Sequence, residues 1–456
     1  MFTVPSWRAL RDSLRRARRA RRARRSPRRW APGLALCAAV ISLNAHGQPV
    51  LTLDQALRLA QERSRLLVAQ DAAAAAAREM TVAAGQRPDP TLKVGINNLP
   101  IDGADRFSLS RDFMTMRSVG LMQEFTRKDK RKARAARFER EADAAEAGRA
   151  VALANLRRDT ATAWLERHYQ ERMREVLQAQ RAEAALQIEA ADAAYRGGRG
   201  SQADVFAARS AVAQIDDRIR QVEGQIATAK TRLARWVGAD AERALAAPPG
   251  LAAVHLETAN LETQLEHHPQ VALMVRQEAT ARAEADIAQS NKRSDWSVEV
   301  MFSQRGAAYS NMVSLNVSIP LQLDQKNRQD RDVSARLAVA EQLRAQREET
   351  TREHVAETRS WLQQWQSNNE RLAQYDAALI PLTAERARAA IVAYRGGSAT
   401  LTAVLEARRM EIDTRMERLR IEMENAVLWA QLEYLTPAEH PAGLADRPTA
   451  TQEQPR

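Results

Sequence analysis

Between Met312 and Leu323 the sequence MVSLNVSIPLQL alternates without exception. Val313, Leu315, Val317, Ile319, Leu321 and Leu323 are apolar, and Ser314, Asn316, Ser318, Pro320 and Gln322 stand between them. A period of two places the first set on one face of a strand and the second on the other. TLKVGIN (91–97), SVGLMQEF (118–125) and SVEVMF (297–302) follow the same rule with lapses. The pattern therefore predicts four strands, near 90–98, 116–126, 295–304 and 311–323.

The remainder predicts helix. Segments at 52–87 and 258–292 precede the strand pairs, very long helices at about 127–194 and 326–393 follow them, and shorter helices at 201–236 and 399–434 come last. A 68-residue helix is about 100 Å long. No proline lies between Pro100 and Pro248, so the first long helix is uninterrupted; Pro381 sits inside the second, where a kink is expected. In 201–236 a heptad seam runs through Val205, Val212, Ile219, Ile226 and Leu233, with Ala208, Ile215, Val222, Ala229 and Trp236 three residues further on. Its counterpart carries Leu405, Ile412, Met416, Leu419, Met423 and Ala426. Two stacked short helices alongside one long helix is the economical packing.

The pentapeptide AYRGG occurs at 194–198 and again at 393–397. Each copy lies between a long and a shorter helix, so its glycines supply a left-handed cap and the reversal at a hairpin tip, with the next helix beginning at Ser201 or Ser398. The same order of elements thus occurs twice, predicting two structural repeats, 48–250 and 251–436. Residues 437–456 read as a disordered tail.

Charge and composition change the picture in one respect. The formal net charge of +12 suggests a nucleic-acid partner until it is located. Residues 1–30 hold 12 Arg and one Asp; removing these from 69 basic and 57 acidic residues leaves 57 against 56. An Arg-rich start followed by the apolar run APGLALCAAVISLNA (31–45) and small residues at Ala45 and Gly47 reads as a signal peptide, 1–47. The only cysteine, Cys37, falls inside it, with Leu36 where a lipoprotein signal would place a small side chain. No nucleic-acid partner is expected.

In an exported chain the strands acquire meaning. A single alternating strand suits a soluble sandwich. Four of about ten residues, without further partner strands, suit a membrane barrel with apolar side chains toward lipid. Four strands cannot close a barrel, since about eight is the minimum, so the chain is expected to oligomerise.

The layout resembles the TolC-type outer-membrane efflux proteins over nearly all of 51–436. The resemblance rests on the duplicated order of elements, on AYRGGRGSQADVFAARSAVAQ (194–214), and on YRGGSATLTAVLEARR (394–409) preceded by LIPLTAERARAA (379–390). VGINNLPIDG (94–103) and VGLMQEFTRKDKRKAR (119–134) look most like the heavy-metal branch, similar to CzcC and CusC. The resemblance implies a mainly α fold with a membrane β-barrel: a homotrimer, its 12-stranded barrel in outer-membrane lipid and an α-helical tunnel through the periplasm. It implies a passive exit duct for metal cations that meets a periplasmic adaptor and an inner-membrane pump of the resistance-nodulation-division type. It also places Tyr195, Arg196, Gly197, Gly198, Tyr394, Arg395, Gly396 and Gly397 at adaptor-docking tips. Acidic residues just beyond the second tip form the family's pore constriction. Here Ala403 stands where a relative has Asp, leaving Glu406 and, after the first tip, Asp204. Both also read as ordinary acids of a helix start. Export of drugs or proteins through the same duct remains open, as does a periplasmic coiled-coil scaffold or adaptor without a pore.

Other signals carry less. EHHPQ (266–270) reads as a cap or loop without a third spaced metal ligand, and His168 and His354 stand alone on charged helices. Met114, Met116 and Met122 invite a Cu(I) reading but suit packing better. RKDKRKARAAR (127–137) reads as a solvated surface below the membrane. The sequence holds no nucleophile-and-base constellation, phosphate loop or dinucleotide motif, so neither enzymatic activity nor a cofactor is expected.

Overall fold

A computed structural model describes residues 50–251, 253–254 and 268–435. The signal peptide, the tail and the first part of the segment expected at 258–292 lie outside the described residues. The helices are α1 (Leu53–Arg63), α2 (Arg65–Gly85), α3 (Lys128–Arg196), α4 (Gln202–Val237), α5 (Pro269–Ser290), α6 (Gln329–Gln374), α7 (Ile380–Arg395) and α8 (Leu401–Glu433). The strands are β1 (Thr91–Asn97), β2 (Met116–Phe125), β3 (Trp296–Gln304) and β4 (Met312–Ser318).

The strands form one antiparallel sheet in the order β1-β2-β3-β4. Register converts the sequence alternation into rows: Val94, Val119, Phe302 and Val313 lie side by side, as do Leu92, Leu121, Val300 and Leu315. All eight are exposed, with Val94 at 77%, Val313 at 72% and Leu315 at 68%. The opposite face is polar in part: Lys93 Nζ donates to Glu299 Oε2 at 2.9 Å, and Asn97 Nδ2 to Ser118 Oγ at 3.0 Å. An apolar face this large left uncovered is a surface for lipid or for another protein.

β4 is shorter than its pattern. Alternation continues to Leu323, yet pairing ends at Ser318, because Pro320 has no N–H to donate to a ladder. Ile319, Leu321 and Leu323 stay exposed beyond the strand.

The 69 residues of α3 make a rod of about 100 Å, against which α1, α2, α4, α5 and α8 all pack. The heptad positions of α4 from Val205 to Leu233 are buried along it. At its far end Trp236 meets Ala60, Leu67, Ala152 and Leu156, so α4 and α2 follow one another along α3. The helix expected over 52–87 is two helices. Ser64 leaves helical geometry, ends α1, and caps α2 by accepting from Leu67 N at 3.3 Å. The second seam is wider than one heptad stripe: Leu401, Val404, Glu411, Ile421, Asn425 and Trp429 are buried as well, because α8 packs against α3, α6 and α7 at once.

Pro381 is accommodated without a break. A π turn, Tyr375–Leu379, precedes it, and Tyr375, Leu379 and Ile380 keep right-handed helical dihedrals. The wider turn absorbs the ring and the missing donor.

At mid-height the core centres on Trp164, which is fully buried and donates from Nε1 to Leu51 O at 3.1 Å. Beside it Arg167, 2% exposed, donates to Ala241 O at 2.5 Å, Arg243 O at 2.8 Å and Glu171 Oε1 at 2.9 Å. A buried guanidinium is tolerated because its donors are matched. Here it pins the chain after α4 to the middle of α3.

Candidate functional site: the paired hairpin tips

The two AYRGG copies fold alike. In the first, Gly197 N donates to Ala193 O, Gly198 N to Tyr195 O and Arg199 N to Ala194 O, at 3.0, 3.0 and 2.9 Å. In the second, Gly396 N donates to Val392 O, Gly397 N to Tyr394 O and Ser398 N to Ala393 O, at 2.9, 3.1 and 2.9 Å. Gly198 (φ 69°) and Gly397 (φ 75°) take the left-handed position at which a Cβ is penalised. Gly396, at φ −78°, has no such need. Gly397→Ala is therefore expected to lower unfolding stability by about 1 kcal/mol and Gly396→Ala to leave it within a few tenths, measured by denaturant titration in detergent.

The next helices begin after Ser201 and Thr400, which accept from Asp204 N at 3.2 Å and Ala403 N at 3.3 Å. Thr400 rather than Ser398 is thus the second cap; Ser398 spends its hydroxyl on Ala393 O at 3.1 Å. Asp204 completes a capping box, accepting from Ser201 N at 2.9 Å and Ser201 Oγ at 2.7 Å. The Ser201 backbone N–H first, and its hydroxyl second, hold the Asp204 carboxyl below the usual carboxylate range. The matching position in the second tip is Ala403, with no carboxylate to play this part. Glu406 is exposed and forms no ion pair among the described residues.

The tips meet through a small apolar cluster of Ala191, Val205, Ala208, Leu401 and Val404, with Tyr394 packed against it. Tyr195 is half exposed, and Arg196 pairs with Asp192 of its own helix. The two tyrosines are therefore not equivalent: Tyr394 braces the tips, whereas Tyr195 is presented outward. Just inside the tips, α3, α4 and α8 enclose a cleft of about 280 Å³ lined by Gln187, Ala207, Ala211, Leu405 and Glu406. Bridges between the hairpins close its far side. Arg408 Nη1 on α8 reaches Glu183 Oε2 on α3 at 2.8 Å, and Arg218 Nη1 on α4 reaches Asp413 Oδ1 on α8 at 2.5 Å; within α8, Arg408 also pairs with Glu411 one turn on, at 2.9 Å. Sequence reasoning missed the two bridges that cross between hairpins, since their partners are far apart in the chain and follow no period.

The histidines also change. His354 does not stand alone: its ring lies 4.5 Å from that of His268, centroid to centroid, beside a cavity that Arg158 and Glu357 also line. His268 Nδ1 accepts the Gln270 N–H at 3.2 Å as a helix cap, which leaves the neutral ring's proton on Nε2 and removes that nitrogen as a metal ligand. Burial, then His354 and Arg158, depress the His268 pKa to about 4. Met116 and Met122, six residues apart in β2, are about 20 Å apart along the strand and cannot share one Cu(I). Among the described residues no three His, Cys, Asp or Glu side chains are placed to hold a metal, and no helix is long and apolar enough to cross a membrane.

Residues 56–239 match the outer membrane efflux protein family. Three solved structures share the fold of this chain. The outer-membrane channel OprN has a TM-score of 0.69 at 16% identity, over 84% of this chain and 89% of that one. The outer membrane protein VceC from Vibrio cholerae gives 0.68 at 18%, over 84% and 95%. CusC, described for its transmembrane channel formation, gives 0.68 at 16%, over 84% and 92%. No curated protein matches the sequence.

Proposed function

We propose that this chain is one subunit of a trimeric outer-membrane exit duct for efflux, with three copies closing a 12-stranded barrel above an α-helical tunnel through the periplasm. One observation carries the reading above all others: a four-stranded sheet with an uncovered apolar face is attached to helices about 100 Å long. Each sheet has two open edges, β1 and β4, and joining β4 of one copy to β1 of the next leaves no edge unpaired. A soluble scaffold would leave both the edges and the apolar rows in water.

The paired tips are the proposed periplasmic end. Tyr195, Arg196, Gly197 and Gly198, with Tyr394, Arg395, Gly396 and Gly397, form the surface for a periplasmic adaptor working with an inner-membrane pump of the resistance-nodulation-division type. Heavy-metal cations are the proposed cargo, from the resemblance of 94–103 and 119–134. A deletion strain that loses metal resistance supports that cargo, and one that loses only drug resistance overturns it. In the constriction Glu406 is the principal acid, because its carboxylate is uncommitted whereas that of Asp204 is held by Ser201. In planar bilayers Glu406→Ala is expected to reduce cation preference and change single-channel conductance, with a smaller effect for Asp204→Ala. Unchanged conductance and selectivity in the double variant would remove both from the constriction.

A further inference from the structure

All four strands approach the helices at the same end of the sheet, where Phe125 pairs with Trp296. The chain crosses that end four times, at 86–90, 124–134, 291–295 and 324–332. These segments hold twelve Lys or Arg against seven Asp or Glu, while the loops at the opposite end, 98–115 and 305–311, hold three of each. Several of the acids are paired with basic side chains of these same segments. Asp295 takes Lys130 at 2.6 Å, Asp330 takes Lys292 at 2.7 Å, and Asp129 takes Arg127 at 3.1 Å. Lys128, Lys132, Lys326 and Arg328 are left exposed without an ion pair among the described residues.

The excess charge sits beside features of a membrane boundary. The rings of Phe125 and Trp296 stack at 4.4 Å, Trp296 is 42% exposed, and the Arg87 guanidinium lies 5.9 Å from the Phe125 ring centre. Immediately beyond them the apolar rows of the sheet begin. Aromatic rings at the headgroup level, flanked by long cationic side chains that reach the headgroups from below, are the anchoring pattern of membrane interfaces.

We infer that this end of the sheet is a binding belt for anionic phospholipid headgroups of the periplasm-facing leaflet, with Lys128, Lys132, Lys326 and Arg328 as its phosphate-contacting cations. The inference rests on the barrel reading above and adds a lipid class to it. The opposite end has no comparable excess, so selectivity belongs to one leaflet. Attraction of this kind scales with the number of free cations and is removed by salt.

The test uses the full-length protein reconstituted in phosphatidylcholine vesicles carrying a trace of spin-labelled phosphatidylglycerol or spin-labelled phosphatidylcholine. The wild type is expected to hold motionally restricted phosphatidylglycerol at least about fivefold more strongly than phosphatidylcholine, falling toward parity in 1 M salt. The variant K128Q/K132Q/K326Q/R328Q is expected to approach parity at low salt. Equal association of both labels with the wild type, or undiminished preference in the variant, would overturn the belt while leaving the barrel intact. No restricted component with either label would instead overturn the barrel, and the belt with it. The salt arm needs no variant, so misfolding of the quadruple substitution cannot hide the answer.

Discussion

Leu315→Arg is expected to cost about 2–4 kcal/mol of membrane insertion, the largest effect of any surface substitution in this chain. Leu315 lies at the centre of β4, opposite Val300, within the apolar row that runs across all four strands. In a soluble sheet an exposed Leu→Arg change on an outer strand would be nearly neutral. On a lipid face it places a cation at the depth where the bilayer is least tolerant. Asn316→Arg, one residue along and on the other face, is the matched control and should cost much less. Folding into vesicles followed by urea titration measures both. Equal effects of the two would mean that the apolar rows do not face lipid.

Trp164→Ala is the second large effect, about 3–5 kcal/mol of unfolding stability in detergent. The indole is fully buried on the long helix α3 and donates to the Leu51 carbonyl, which belongs to the strand-like bridge between Leu51 and Leu245. Truncation leaves a cavity in the principal core and removes one of the two donors to the Leu51 carbonyl, which keeps only Ala246 N at 3.1 Å, where the segment before α1, the segment after α4 and α3 meet. Trp164→Phe keeps most of the volume and loses mainly the hydrogen bond, so it should cost about 1–2 kcal/mol. The ratio of the two losses separates packing from hydrogen bonding at this joint.

Features that depend on a short period were legible in the sequence. Alternation located all four strands, and the heptad of α4 named residues that are buried against its neighbours. Position-specific chemistry was read less completely. Pro320 stands inside a perfect alternation, and its missing donor ends the ladder two residues earlier. Ser64 interrupts 52–87 with neither glycine nor proline beside it, and its role as a cap appears only once the backbone turns there. The offset of 199 between the AYRGG copies maps Ser201 onto Thr400, so the second cap was available from the repeat; Ser398, directly after the glycines, was the more obvious hydroxyl. Long-range juxtapositions had no signal at all. His268 and His354 belong to different helices, and Arg408 meets Glu183 only because two hairpins pack side by side. The conformational need for glycine at Gly198 and Gly397 was readable. The unequal exposure of Tyr195 and Tyr394 was not, since it arises where one tip leans on the other.

Closure of the barrel is tested most directly by the protein mass of the detergent-solubilised particle, measured by light scattering with the detergent contribution subtracted. Four strands per chain and a 12-stranded cylinder require three chains per particle. A protein mass of three subunits, in material that leaves the outer-membrane fraction only with detergent, is the predicted result. A particle of one chain, stable in water without detergent, would contradict it.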